Sequence, residues 1–492
     1  MNITELIVFI VYLVCMLGIG LYFFLRSKGG GEKDYFLGGR QMSGLVAALS
    51  TGASDMSSWV LMGLPGALYL AGLVEMWTAV GLALGQICSW ILVSQRLRRY
   101  SIAAKDSITI PQFLTNRFLS SSKVLQIICA VIFLVAYAVY AASSIKACGT
   151  LFNTVLGVNA TGAMFIAAVI IVGYTFLGGF SAVCWTDFFQ GMLMLIALIA
   201  TPLVALAALN AGKGADAVSA VAGYWSVTGG ATGWKAICCV LSGLAWGLGY
   251  FGMPHIIIRY MSIKSGKECR RSAVLGSGWT TLILIFSVFT GLIGYRYLGQ
   301  IDNNELVFIQ LVRSLLPGVL SGILLSAILA AAMSTADSQL LASASAFASD
   351  VYKPVFRKGK ASDKEMLWVG RIVVLVISIV ALLIALLDKK GTIMSLVSNA
   401  WGIFGAAFGP VILLSLYWRR FNFAGAVAAI VSGAAMDLVW LYCIKPSVGL
   451  YELLPAFLFS LLVGVVVTCL SKAPSAQVEA LFDKVQANAE GD

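Results

Sequence analysis

Apolar runs of about twenty residues, the length at which a helix crosses a bilayer, recur along the whole chain. The runs are continuous and do not alternate with a period of two, which disfavours a membrane β-barrel. Charged residues make up only 11% of the 492 positions, against about 25% in typical soluble domains. The chain is therefore predicted to be an all-α polytopic membrane protein, and no segment between the runs is long enough to fold as a separate domain.

The hydropathy pattern predicts about 13 transmembrane helices, numbered here in chain order. Their spans are 4–26, 43–70, 73–95, 124–150, 160–182, 187–210, 234–260, 274–298, 318–350, 368–388, 396–418, 422–444 and 450–470. The first run has no basic residue before it and no small-residue cleavage site, so we expect a retained helix and not a signal peptide.

The net charge of +11 is unevenly distributed over the loops. Most of the 33 Lys and Arg fall in loops that alternate spans place on one side together with the C-terminal tail, as at 95–100, 267–271 and 353–360. The positive-inside rule then predicts an external N-terminus and a cytoplasmic C-terminus. Because the basic excess faces the cytoplasm and membrane lipid, we expect no nucleic-acid partner, and no feature indicates an obligate protein partner.

Two of the runs are interrupted near mid-depth by small or helix-disrupting residues, at 50–58 (STGASDMSS) and at 242–255 (SGLAWGLGYFGMPH). Interrupted helices at equivalent places in two halves are typical of inverted-repeat transporters. The predicted organisation is a first helix and loop (1–42), two repeats (43–210 and 234–418), two peripheral helices (422–470) and a cytoplasmic tail (471–492). The spacing alone also allows coincidence, because glycine is common in membrane helices.

Asp55 lies inside the first interruption. A charge at the bilayer centre costs about 2.5–3.5 kcal/mol on insertion scales, so it needs a partner or a water-filled cavity. Carbonyls freed by an unwound helix, together with the hydroxyls of Ser334 and Thr335 on span 9, would form an all-oxygen shell suited to Na⁺ or another hard cation. Tight helix packing is the alternative explanation for the small residues of span 9, but it does not explain Asp337.

Asp187 is predicted to open span 6, where the helix N-terminus explains an acidic residue as well as a function does. For an organic solute, aromatic and small hydroxyl residues surround the two interruptions: Ser57, Ser58, Trp59, Tyr140, Trp246, Tyr250 and Pro254. We expect no intramembrane Arg or Lys near this pocket, which favours a small neutral or zwitterionic solute. Each aromatic taken singly is equally consistent with packing.

Four segments resemble the solute:sodium symporter family: 37–69 (LGGRQMSGLVAALSTGASDMSSWVLMGLPGALY), 174–191 (YTFLGGFSAVCWTDFFQG), 246–261 (WGLGYFGMPHIIIRYM) and 328–341 (ILAAAMSTADSQLL). The resemblance extends over essentially the whole chain and is greatest to proline-transporting members. It implies a leucine-transporter-type five-plus-five inverted repeat with broken helices 2 and 7. It also implies Na⁺-coupled proline uptake by alternating access across a bacterial plasma membrane.

The resemblance further implies roles for single residues. A main sodium site would use carbonyls of Ala53, Met56 and Ala331 and hydroxyls of Ser334 and Thr335, with Asp55 tied to sodium dependence. Some family members hold a second sodium ion, which here would fall on Asp187, Ser334, Asp337 and Ser338. The proline site would comprise Ser57, Trp59, Tyr140, Trp246, Tyr250 and Pro254, with Ser58 where close relatives have glycine. Arg40 matches a position linked to gating.

Other function classes fit the sequence less well. A symporter for another small solute stays open, because pocket aromatics do not specify proline. An ion channel would need a ring of ligands or a continuous polar pore, where the sequence has isolated acids in broken helices. A sensor would need an output domain. An enzyme would need a nucleophile–base or metal constellation, which one His and no HExxH motif do not supply.

Overall fold

The computed structural model describes residues 3–26, 31–177, 179–214, 221–388 and 391–487. Within these ranges the chain is almost entirely helical, with one isolated backbone bridge between Met42 and Ile263. The first half contains α1 (Ile3–Arg26), α2 (Glu32–Leu37), α3 (Gly44–Asp55), α4 (Gly63–Ala71), α5 (Met76–Ser89), α6 (Gln95–Ala103), α7 (Ile110–Arg117), α8 (Val124–Leu156), α9 (Ala160–Leu177) and α10 (Phe180–Asn210). The second half contains α11 (Gly233–Ala245), α12 (Pro254–Ser262), α13 (Gly266–Leu298), α14 (Val307–Leu315), α15 (Gly318–Phe347), α16 (Asp363–Leu387), α17 (Ile393–Tyr417), α18 (Phe423–Val439), α19 (Lys445–Val448), α20 (Leu453–Leu470) and α21 (Ala476–Ala487).

In the part of the chain that the structure describes, 11 helical stretches are long and apolar enough to cross a membrane. The sequence predicted about 13. The difference arises in two places. The predicted span 43–70 is split into α3 and α4, of 12 and 9 residues, each shorter than the roughly 20 that a spanning helix needs. Over the described residues, the predicted span 160–182 is represented by a shorter apolar helix, Ala160–Gly173. The all-α, multi-pass architecture is confirmed.

Both predicted helix interruptions are present. Helix α3 ends at Asp55, Met56 leaves the helical conformation with ψ near 61°, and a 3₁₀ turn over Ser58–Val60 precedes α4. Met56 forms an inverse γ-turn, in which the Ser57 amide donates to the Asp55 carbonyl at 2.8 Å. The first interruption therefore exposes backbone carbonyls at the end of α3 to other partners.

The second interruption separates α11 from α12. A 3₁₀ turn over Trp246–Phe251 follows α11, and Pro254 then occupies the first position of α12, where its missing N–H costs no helical hydrogen bond. A Cβ atom added to Gly249 would lie 2.0 Å from the Trp401 indole nitrogen. Glycine is thus required where this turn contacts α17.

The position of Asp187 differs from the prediction. Span 6 was predicted to begin at 187, but α10 begins at Phe180, about two turns earlier. The explanation of Asp187 by a helix N-terminus is therefore wrong. Its side chain is fully buried in the helix interior, where a carboxylate requires a specific partner.

Helix α15 lies at the centre of the bundle and packs against α1, α3, α8 and α10. Its Ala and Ser residues allow close approach of these neighbours, and nearly all of its side chains are buried. This packing places its hydroxyl-bearing residues against the end of α3, on which the candidate site depends.

Candidate functional site

Several oxygen atoms converge where α3 ends against α15. The Ser334 hydroxyl oxygen lies 2.8 Å from the carbonyl oxygen of Ala53 and 3.1 Å from that of Ala331. One hydroxyl hydrogen satisfies only one of these two acceptors at a time. The neighbouring Thr335 hydroxyl is fully buried and makes no hydrogen bond to any residue the structure describes. Some of these oxygens therefore receive no hydrogen bond, and a group of such oxygens suits a hard monovalent cation.

The two remaining residues predicted for this site lie at the same break. Met56 is fully buried and is the first non-helical residue after α3. Asp55 is also fully buried, and its Oδ2 accepts a hydrogen bond from the Tyr250 hydroxyl, while its Oδ1 has no hydrogen bond to the described residues. Since Tyr250 belongs to the second interruption, the two broken segments meet at this carboxylate.

Four of the residues predicted to bind substrate form part of one buried aromatic cluster. The ring centroids of Trp59 and Trp246 are 6.3 Å apart, and that of Tyr250 is 5.2 Å from Trp401. The Trp401 indole donates a 2.8 Å hydrogen bond to the Trp246 carbonyl, and Tyr451 stacks on Trp246 at 5.2 Å. Trp401 and Tyr451 were missed by sequence reasoning, because they are distant in sequence and only the fold brings them here.

Tyr140 is the fourth of these residues and approaches both Ser57 and Trp59 from α8. Its hydroxyl, like that of Ser58, is buried without a hydrogen bond among the described residues. Buried polar groups in proteins are normally paired, so these two hydroxyls are candidates for contact with a ligand. Pro254 has a different place, because it is the first residue of α12 and shapes the start of that helix.

A buried ion pair lies close to the cation site. The Arg259 guanidinium on α12 is 2.8 Å from Asp187 Oδ2 and 2.6 Å from the hydroxyl of Ser338. The expectation that no Arg or Lys would lie within the membrane near the pocket is therefore wrong. The sequence feature that indicates this buried charge is the single arginine within the apolar segment HIIIRYM. Asp337, the other predicted acid, is fully buried one residue before Ser338.

Arg40 forms the centre of a clamp, which we name the Arg40 clamp and define by Arg40, Ser101, Asp106, Ser107 and Met261. Its guanidinium donates to Asp106 Oδ1 at 2.9 Å and to the Ser101 hydroxyl at 3.0 Å. It also donates to the carbonyls of Met261 at 2.6 Å and Ser107 at 2.7 Å. These bonds join the segment before α3 to α6, to the loop after α6 and to the end of α12.

The conformation of the Arg40 clamp is under backbone strain. Arg40 itself has φ near 58°, and Asp106 has φ near 50°. The left-handed region costs a non-glycine residue about 1–2 kcal/mol. Partial burial acts to raise the pKa of Asp106, but hydrogen bonds from Lys33 and Arg40 and their positive charges outweigh burial and hold that pKa below its usual value.

The fold is that of a class of ion-coupled membrane transporters. The structure matches a solved Na⁺-coupled sialic acid symporter in a substrate-bound outward-open state, with a TM-score of 0.78 over 96% of this chain and 99% of that one, at 20% identity. It also matches a nucleobase-cation-symport-1 family transporter in a closed conformation, with a TM-score of 0.57 over 91% and 97% of the two chains, at 15% identity. At these identities the likeness concerns the fold alone, which is of the leucine-transporter type.

The chain belongs to the sodium:solute symporter family, whose model matches residues 35–433. It is 43% identical over 475 residues to the high-affinity proline transporter PutP of Bacillus subtilis, covering 96% of this chain and 99% of that protein. It is 42% identical over 489 residues to the osmoregulated proline transporter OpuE of the same organism, covering 98% of each chain. A sodium/proline symporter of Staphylococcus aureus is 41% identical over 498 residues, covering 99% of this chain and 96% of that protein.

Proposed function

We propose that this chain is a secondary active transporter that couples inward flow of Na⁺ to uptake of L-proline by alternating access. It is a transporter of the sodium:solute symporter family and not an enzyme. The observation that carries the proposal is the convergence of Ser334 with the carbonyls of Ala53 and Ala331 at a helix break. The substrate rests on identities of 41–43% to proline transporters over nearly the full length.

The transported sodium ion would bind among the oxygens at the end of α3. We assign the carbonyls of Ala53, Met56 and Ala331 and the hydroxyls of Ser334 and Thr335 as its ligands. Asp55 supplies a fixed negative charge at the same break and anchors the second broken segment through Tyr250. Because these ligands come from both repeats, the ion stabilises the arrangement in which α3 and α15 are held together.

Proline would bind beside this site, between the aromatic faces of Trp59, Trp246 and Tyr250. Its apolar ring matches these faces, and its charged groups match the unpaired hydroxyls of Ser58 and Tyr140 together with Ser57. The compact cluster favours a small cyclic solute. Sodium and proline would share the first break, which gives the physical basis for coupling, since each ligand orders residues that the other contacts.

We assign residues 43–210 and 234–418 to the two repeats, flanked by 1–42, the peripheral helices in 422–470 and the tail at 471–492. Support comes from the two breaks, one in each repeat. The Arg40 clamp joins the foot of the first broken helix to the end of the second. Opening toward that side therefore requires the clamp to release.

We further propose a bacterial plasma membrane location with an external N-terminus and a cytoplasmic C-terminus. The excess of Lys and Arg in alternate loops supports this orientation. Fusions of the C-terminus to green fluorescent protein and to alkaline phosphatase distinguish the two orientations. A fluorescent and phosphatase-inactive pair is expected, and active phosphatase would reverse the assignment.

The function is tested by reconstitution into proteoliposomes. Labelled proline should accumulate when an inward Na⁺ gradient is imposed, and a sodium ionophore that dissipates the gradient should abolish accumulation. Excess unlabelled proline should compete, whereas glucose and pantothenate should not. Sodium-driven uptake that a different small solute inhibits more strongly than proline would favour the alternative of a symporter for that solute.

A further inference from the structure

Oxygen atoms surround the Arg259 guanidinium as they would surround a bound cation, and this cation is part of the protein. Its Nε donates to the Ser50 hydroxyl at 2.7 Å, and its Nη2 donates to Asp187 Oδ2 at 2.8 Å and to the Ser338 hydroxyl at 2.6 Å. These partners belong to three different helices, α3, α10 and α15, whereas Arg259 belongs to α12. Arg259 is 1% exposed and Asp187 is fully buried, so neither charge is compensated by water.

Two of the carboxylate oxygens around this guanidinium receive no hydrogen bond from the described residues. Asp187 Oδ2 accepts a second hydrogen bond, at 2.6 Å from Ser50, while its Oδ1 has no hydrogen bond to the residues described. Asp337 Oδ1 is 3.4 Å from the Ser338 hydroxyl, and its Oδ2 is likewise unbonded in the described chain. The cluster thus contains two carboxylates and two hydroxyls around one positive charge.

We propose that Arg259 is a tethered cation that holds the position between Asp187 and Ser338 where a second dissolved sodium ion would otherwise bind. The inference rests on the proposed sodium-coupled function and deepens it, since it makes Arg259 a determinant of coupling stoichiometry. With Arg259 in place, the chain binds one Na⁺ for each solute. A covalently attached guanidinium competes at a very high effective concentration with an ion from solution.

The negative charge of Asp337 is compensated differently from that of Asp187. Asp337 lies one helical turn after Ser334 on α15, which places its charge near the main sodium oxygens. Arg259 neutralises Asp187, and the transported ion at Ser334 compensates Asp337 at longer range. One dissolved ion and one tethered cation therefore face three buried carboxylates, Asp187, Asp337 and the Asp55 of the sodium site.

The experiment counts radiolabelled Na⁺ bound at saturation per chain in the purified full-length protein, without added solute. The wild type should bind one ion. Arg259→Gln should bind two, because it exposes Asp187, and sodium activation of uptake should become steeper, with a Hill coefficient rising from about 1 toward 2. Arg259→Lys, which keeps a tethered charge, and the double variant Arg259→Gln/Asp187→Asn, which removes both charges, should each bind one.

Two ions in the wild type, or one ion in a monodisperse Arg259→Gln protein, would overturn the proposal. If Arg259→Gln does not purify as a monodisperse protein, Arg259→Met, which also removes the tethered charge, takes its place, and one ion in that variant would overturn the proposal. Ion counting needs no transport, so its outcome is separate from that of the proline uptake assay. Sodium binding as expected, without sodium-driven proline uptake, would refute the proposed substrate and leave the role of Arg259 intact.

Discussion

The hydroxyl of Ser334 lies 2.8 Å from the carbonyl oxygen of Ala53, although 281 residues separate them in the chain. The contact joins the broken helix of one proposed repeat to the central helix of the other. An ion bound there must contact both helices. Its binding and release therefore affect how the two repeats are held together.

Replacement of Ser334 by Ala should raise the Na⁺ concentration for half-maximal uptake by about tenfold or more, since a hydrogen-bond partner of a charged group contributes about 1.5–3 kcal/mol. Thr335→Ala should act in the same direction. The matched control is Ser326→Ala on the same helix, whose buried hydroxyl bonds only its own helix at Gly322. Equal sodium dependence in Ser334→Ala and Ser326→Ala would remove Ser334 from the site.

Asp55 should be needed for its charge and not for its shape. Asp55→Asn should lose sodium-driven uptake while reaching the membrane, and Asp55→Glu should keep some uptake with weaker apparent sodium affinity. If Asp55 served packing only, the order would be reversed, because the longer Glu crowds a buried position. Uptake normalised to the amount of inserted protein distinguishes the charge explanation from the packing explanation.

Tyr250→Phe, which removes the hydrogen bond to Asp55, should weaken sodium affinity less than Asp55→Asn does.

The hydroxyl of Tyr140 allows binding to be separated from folding. It is buried without a partner among the described residues, so Tyr140→Phe should not destabilise the fold and should weaken proline affinity by about 0.5–1.5 kcal/mol. Tyr137, one turn earlier on α8, accepts a 2.9 Å hydrogen bond from the His255 backbone. Tyr137→Phe should therefore lower the melting temperature instead. Proline binding and thermal unfolding are measured on both variants. A lower melting temperature in Tyr140→Phe but not in Tyr137→Phe would contradict the prediction.

The Arg40 clamp should be insensitive to pH in the neutral range. The pKa of Asp106 is depressed, so its contribution is fully present above the ordinary value of about 3.9 and is lost only as pH falls through the lower folded-state value. Crosslinking between cysteines placed at Met42 and Ile263, which are paired beside the clamp, should stay constant from about pH 8 to about pH 5. Asp106→Asn should loosen the clamp throughout this range. A clamp that opens between about pH 7 and about pH 5 would contradict the assignment.

The sequence predicted features that local chemistry controls. Clusters of small residues, with a proline in the second, located both helix breaks, and the small residues of span 9 were consistent with the tight packing that α15 shows. Features that depend on residues distant in the chain could not be predicted from the sequence in the same way. The start of α10 was misplaced because an apolar segment continues across residues 180–187, and Trp401 and Tyr451 are near the pocket only through tertiary packing. Arg259 was overlooked because an arginine in an apolar helix is tolerable only with a partner, and that partner, Asp187, lies 72 residues away.

The backbone bridge between the foot of α3 and the end of α12 offers an intrinsic reporter of conformation. The Met42 amide donates to the Ser262 carbonyl at 3.1 Å, and the Lys264 amide donates back to the Met42 carbonyl at 3.1 Å. Because these bonds involve no side chain, their protons can exchange with deuterium only when the two segments part. The exchange rates of these two amides therefore measure how often this end of the transporter opens, without a dye, a label or a substitution.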